Sequence, residues 1–238
     1  MLWYKAWLET RSRFLISLLG IVTLSSFVVY HGNLQKLPYT KVYYYYMVLH
    51  EGHATLALMW VVAVTLLMMG GLLRERAVGA SSLTLSLPVS RTRLMSVRIS
   101  AGLAEAVTLV IVPWIAMLIV AGITGQTPPI FQICFRLVLL VGGGLVFFGM
   151  ALLISSILEG EYTAPLASFG IAFALMIGFG RESLRDYNPF QFLTGEPYLD
   201  RQTMLLLGPI PWIHVAVNVA LAALFTWISV KVIQRREF

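Results

Sequence analysis

The stretch Ile133-Cys-Phe-Arg-Leu-Val-Leu-Leu-Val-Gly-Gly-Gly-Leu-Val-Phe-Phe-Gly-Met-Ala-Leu-Leu-Ile-Ser-Ser-Ile157 runs for 25 residues and holds one charged side chain, Arg136. At about 1.5 Å per residue, a helix of this length covers the ~30 Å hydrocarbon core of a bilayer. Outward from it, apolar runs at 14–30, 54–73, 99–123, 164–180 and 209–230 repeat the pattern. A closed barrel, the other structure lipid permits, needs alternating segments of about ten residues, whereas these runs are continuous. The expected fold class is therefore all-α, a polytopic membrane helical bundle with six transmembrane helices in one domain, 1–238.

Composition agrees. Of 238 residues, 58% are apolar or aromatic, and the 12% that are charged are about half the ~25% of soluble domains. Mean hydropathy is +0.82. Six spans of about 20 residues use roughly half the chain, which leaves short loops and no room for a second, soluble catalytic domain. The net charge of +6 and pI near 9.6 reside in residues that flank the apolar runs, which reads as membrane topology and not as nucleic-acid binding. A single cysteine, Cys134, excludes an internal disulfide framework and a multi-cysteine metal site.

Placing the amino terminus in the cytoplasm puts Lys5, Arg11, Arg13, Arg74, Arg76, Arg91, Arg93, Arg98, Lys231, Arg235 and Arg236 inside, eleven cations. Six fall outside: Lys36, Lys41, Arg136, Arg181, Arg185 and Arg201. The positive-inside bias favours both termini in the cytoplasm, against the three arginines after span five. Tyr43 to Tyr46 and Trp212 then suit an outer aromatic belt. The first run lacks a small-residue cleavage site and is expected to be retained.

Three features exceed hydrophobicity. On a helical projection of residues 1–13, Trp3, Tyr4, Trp7 and Leu8 share one arc and Lys5, Glu9, Ser12 and Arg13 the opposite one, with Arg11 alone on the apolar side. This predicts an interfacial elbow helix before span one; a basic flank that only sets topology is the alternative. Next, the 74–98 segment is too apolar for an idle loop, because Leu83, Leu85, Leu87 and Val89 need something to pack on. Gly79 and Pro88 bound a short helix or turn within it, and Arg91, Arg93 and Arg98 anchor the start of span three. Finally, the 181–208 connection holds Phe190, Phe192, Leu193 and Tyr198, which suit short helices dipping towards the interface.

In this order, with six spans and both ends inside, these features resemble the permease subunits of ABC-2 type transporters. The likeness covers nearly the whole chain and is most specific at Glu75-x-x-x-Gly79 followed by Leu85-Ser-Leu-Pro-Val-Ser-Arg91. The resemblance implies that residues Glu75 to Ser90 form a coupling helix docked on a separate cytoplasmic ATP-binding subunit. Glu75, Gly79, Leu83, Leu85, Leu87, Pro88 and Arg91 are the coupling candidates. It further implies two ATPase copies, a second permease as homo- or heterodimer partner through spans one and five, and a bacterial plasma membrane location. A sequence observation agrees: the chain has no G-x-x-x-x-G-K-[ST] and no Gly-Lys pair, so it is expected to bind no cofactor itself, with ATP and Mg held by the partner. The expected cargo is hydrophobic, a peptide or antibiotic-like.

Small-residue stripes offer helix contacts. Gly170, Ala174 and Gly178 line one face of span five, and Gly142, Gly149 and Ser156 one face of span four, for packing either within the chain or against a second permease. Glu105 lies about 9 Å inside span three, where it either pairs with Arg98, Arg74 or Arg76 or lines a pathway or gate. His50, Glu51 and His53 sit at the outer start of span two. Even with His31 no feature assembles the three or four ligands zinc needs, and no metal site is expected. His214 and Asn218, one turn apart, resemble part of the CAAX-type intramembrane protease pattern, but its paired carboxylates and spaced arginine are missing. A His214–Asn218 hydrogen bond is the simpler expectation. The competing classes are thus a polytopic intramembrane enzyme and a membrane sensor built on the outer loop.

Overall fold

The structure, a computed structural model, describes residues 2–34, 41–68, 90–124, 128–158, 163–179 and 188–235. Among them the chain is helical. In order come α1 (Leu2–Leu34), α2 (Lys41–Tyr45), a π-helical segment (Tyr46–Gly52), α3 (His53–Leu67), α4 (Arg91–Ile123), α5 (Ile130–Ile157), α6 (Thr163–Gly178), α7 (Pro189–Thr194), a 3-10 turn (Glu196–Tyr198) and α8 (Trp212–Arg235). Five stretches are long and apolar enough to cross a membrane: Leu2–His31, Tyr43–Leu67, Thr92–Ile123, Ile130–Ile157 and Trp212–Arg235. The sixth expected span falls on α6, whose 16 residues reach about 24 Å, short of the hydrocarbon core.

Boundaries moved for local reasons. Residues 1–13 and 14–30 do not separate into an elbow and a span: no Gly or Pro stands at their junction, the first glycine being Gly20, and α1 runs unbroken for 33 residues. Its aromatic arc faces outward, with Trp3 and Tyr4 exposed, while Glu9 of the polar arc pairs with Arg98 of α4. Span two begins earlier than residue 54, since Tyr43 to Tyr46 continue without a break into the π-helical segment and α3. The 74–98 loop ends at Ser90, whose Oγ accepts from Arg93 N at 3.3 Å and caps α4, so Arg91 to Arg98 are helical. The last span starts at Trp212, after Pro209 and Pro211, and continues to Arg235.

The interior is built on α3 and α5, which supply most of the fully buried side chains, whereas α1 and α8 are largely exposed. Trp60, 1% exposed, donates from Nε1 to Ala106 O at 2.7 Å and ties α3 to α4. Gly142 and Gly149 of the Gly142, Gly149, Ser156 stripe pack within the chain, on Val215 and Ala222 of α8, and Ser156 is buried. A Cβ on Gly149 would stand 2.8 Å from Ala222 O, and Ser229 Oγ donates to Leu152 O at 3.3 Å. The exposed outer surface of α1 and α8 is rich in Leu, Ile, Val, Phe and Trp, the inversion expected of helices in lipid.

One end of the bundle gathers the start of α1, the start of α4 and the end of α8. Arg98 Nη1 lies 3.3 Å from Glu9 Oε2, and Gln234 Nε2 donates to Thr92 Oγ1 at 3.1 Å. At the other end the start of α3 and the start of α5 meet α7.

Candidate functional site

Of the coupling candidates, Glu75, Gly79, Leu83, Leu85, Leu87 and Pro88 lie outside the described residues. Arg91 opens α4, at the end of the bundle where the first and last helices meet.

Glu105 is buried between α1 and α4. Its Oε1 accepts from Thr10 Oγ1 at 2.5 Å, and its Oε2 has no hydrogen-bond partner. The expected pairing with Arg98 is replaced, because Arg98 turns to Glu9 one helix over; Arg74 and Arg76 lie outside the described residues. Thr10 Oγ1 also lies 3.2 Å from Ala6 O, the alternative acceptor within α1 for its one hydroxyl proton.

Gly170, Ala174 and Gly178 occupy an exposed face of α6, where a Cβ on either glycine would meet nothing within 4 Å. Among the described residues no packing accounts for this stripe, in contrast to the one on α5.

The opposite end holds a polar cluster that the sequence reading dispersed. His53 is fully buried in α3, with Nε2 2.9 Å from Leu193 O and its ring 5.6 Å from that of Trp114. Arg136, counted from sequence among the outer loop cations, is 0% exposed inside α5, so it does not report membrane side; its Nη1 donates to Thr194 O at 3.2 Å. Gln132, one turn earlier, grips Leu206 from both sides: Nε2 donates to Leu206 O at 3.1 Å and Oε1 accepts from Leu206 N at 2.8 Å. These contacts seat the 188–208 segment on the bundle. Asn188 Oδ1 caps α7 by accepting from Phe190 N at 2.9 Å, and Gly195 ends it at φ +76°. Phe135, Leu139 and Leu206 pack beneath it with Phe192 and Tyr198, in the short-helix form the aromatic spacing predicts.

Around this cluster the other histidines separate. His50 stacks on Tyr46, whose hydroxyl donates to Glu51, all within the π-helical segment. His31 stacks on Phe27 of α1. Among the described residues no three His, Cys, Asp or Glu side chains gather as metal ligands would. His214 does not bond Asn218 through its ring. Asn218 Nδ2 instead donates to the His214 main-chain carbonyl at 2.9 Å, and the ring lies against Phe192.

Outside the membrane-crossing helices two groups are shifted. Burial raises the Tyr198 phenol. The Thr203 hydroxyl and the Gln202 amide hold the exposed Asp200 carboxyl below its usual range.

Arg136, Gln132 and Trp114 were missed because each stands alone in an apolar run. The usable signal was a lone arginine three residues inside a span, of the kind that marked Glu105.

A comparison with curated proteins returns no match. The family model described as ABC-2 family transporter protein matches residues 33–229, most of the chain, and its membrane-crossing helices agree. The chain is a multi-pass membrane protein that belongs to the ABC-2 transporter family.

Proposed function

We propose that this chain is the permease subunit of an ATP-driven exporter, with six spans and both termini in the cytoplasm of a bacterial cell. It couples through residues 74–90 to a separate ATPase that holds ATP and Mg. The observation that carries the reading is the family match over residues 33–229. Support comes from the chain's lack of a P-loop and from the run Leu83, Leu85, Leu87, an apolar surface that a partner would cover.

On this reading ATP closes the ATPase dimer and the Glu75–Ser90 segment moves with it. The displacement enters α4 at Arg91, directly after the Ser90 cap. As a 33-residue helix, α4 carries it about 50 Å along the bundle, past the Thr10–Glu105 contact with α1 and the Trp60 contact with α3. Glu105, buried with one oxygen unpartnered, is the gating candidate on that path. A second permease pairs through the exposed faces of α6 (Gly170, Ala174, Gly178) and α1. The cargo is hydrophobic or amphipathic.

The test is gentle extraction of the tagged chain from its native membrane, with mass measurement of the intact complex and an ATP hydrolysis assay. The reading expects two permeases, two P-loop ATPases and hydrolysis. A chain that purifies alone and hydrolyses no ATP refutes it.

A further inference from the structure

Arg136 is fully buried, and among the described residues it makes one hydrogen bond and no ion pair. The bond to Thr194 O uses Nη1, and the two nitrogens left without a partner are Nε and Nη2. Those two share one edge of the guanidinium plane. Their N–H bonds point the same way, the fork that takes two oxygens of a carboxylate or phosphate at once. Buried polar groups are ordinarily hydrogen-bonded, so a whole open edge on a buried cation calls for an explanation.

The surroundings add to this. His53 Nε2 faces a carbonyl and therefore donates, which leaves Nδ1 of the neutral ring as an acceptor, and it has no partner. Trp114 Nε1, a donor only, is buried and unpartnered too, and its ring lies against that of His53. Three elements, α3, α4 and α5, thus hold unsatisfied buried polar atoms, and two of them, α3 and α5, are bonded to main-chain carbonyls of α7. The π-helical segment Tyr46–Gly52 leads directly into His53, and such segments often occur at functional sites. Glu51, a nearby carboxylate, is engaged by Tyr46.

We propose that the Nε–Nη2 edge of Arg136, beneath Leu193 and Thr194, is a binding site for an oxyanion group, a carboxylate or phosphate. The competing reading is purely structural: Arg136 ties α5 to α7 and water completes its edge. The proposal does not rest on ATPase coupling, and its test uses the full chain alone.

The experiment measures the unfolding temperature of the full chain in nanodiscs of phosphatidylcholine, titrated with octyl phosphate, octanoate, inorganic phosphate and, as the uncharged control, octanol. The site predicts a saturable rise with octyl phosphate or octanoate and none with octanol. A rise with inorganic phosphate alone supports the same site and identifies a free anion in place of an amphiphile's headgroup. Arg136→Lys keeps the charge without the fork and should weaken the apparent affinity about tenfold. Arg136→Met should abolish the anion response while the ligand-free protein unfolds at the same or a higher temperature, since an unpaired buried charge has been removed. Should that variant not fold, Arg136→Lys decides. The proposal is overturned if no anion raises the wild-type unfolding temperature, or if the response survives undiminished in the Arg136 variants.

Discussion

At the scale of single residues, the polar side chains of this molecule are used to hold irregular backbone, because lipid offers no water to do so. Gln132 is the plainest case. Its amide satisfies both the N–H and the C=O of buried Leu206. Gln132→Ala should cost about 2–4 kcal/mol, two backbone groups being left unpaired, read as a lower unfolding temperature with faster proteolysis in 196–210. An unchanged temperature would show that the grip does not hold the segment.

Asp200 adds a pH dependence in the same segment. Its carboxylate accepts from Thr203 Oγ1 at 2.7 Å and from Gln202 N at 3.0 Å, which lowers its pKa in the folded chain. A depressed carboxylate adds stability above its unfolded pKa and loses it as pH falls through the lower folded value. The Leu207 amide, bonded to Tyr198 O at 2.9 Å, should therefore lose hydrogen-exchange protection only below about pH 4, and Asp200→Ala should remove that pH dependence. Little of this was legible in sequence. Glu105 stood out as a charge deep in a span, but its partner Thr10 lies 95 positions away, and nothing local announces such a contact.

At the scale of elements, hydrophobic length located the helices well, because a bilayer imposes a length that sequence displays directly. Their ends were less legible. Ser90 caps α4 through its own hydroxyl nine residues before the apolar run, and α1 continues through its charged first turns, where Glu9 meets Arg98 of α4. The two small-residue stripes look alike in sequence but differ in use. Gly149 is pressed against the Ala222 backbone, whereas Gly170 and Gly178 face open space. Gly149→Ala should therefore destabilise the chain by about 1–3 kcal/mol, since backbone cannot yield as a side chain tip can. Gly122→Ala, with nothing within 4 Å of the added Cβ, serves as the matched control and should leave the unfolding temperature nearly unchanged. Equal behaviour of the two would contradict the close α5–α8 contact.

At the scale of the whole molecule, the bundle has two ends with different chemistry. One gathers the first and last helices and the start of α4, next to the segment proposed to meet the ATPase. The other carries the buried Arg136 and His53 under a packed cap. That division suits a subunit driven from one side and open to a ligand near the other. The family was legible from spans and loops taken together, as the match over residues 33–229 agrees, while the cluster around Arg136 was not, since it exists only when four elements assemble.

The most direct measurement of the coupling claim is the molar ratio of P-loop ATPase co-purifying with the wild-type chain and with a Leu83→Ser, Leu85→Ser, Leu87→Ser variant of equal helicity and expression. The account predicts about one ATPase per chain for the wild type and little or none for the variant. A wild-type chain that brings down no ATPase, or a variant that retains it in full, would contradict it.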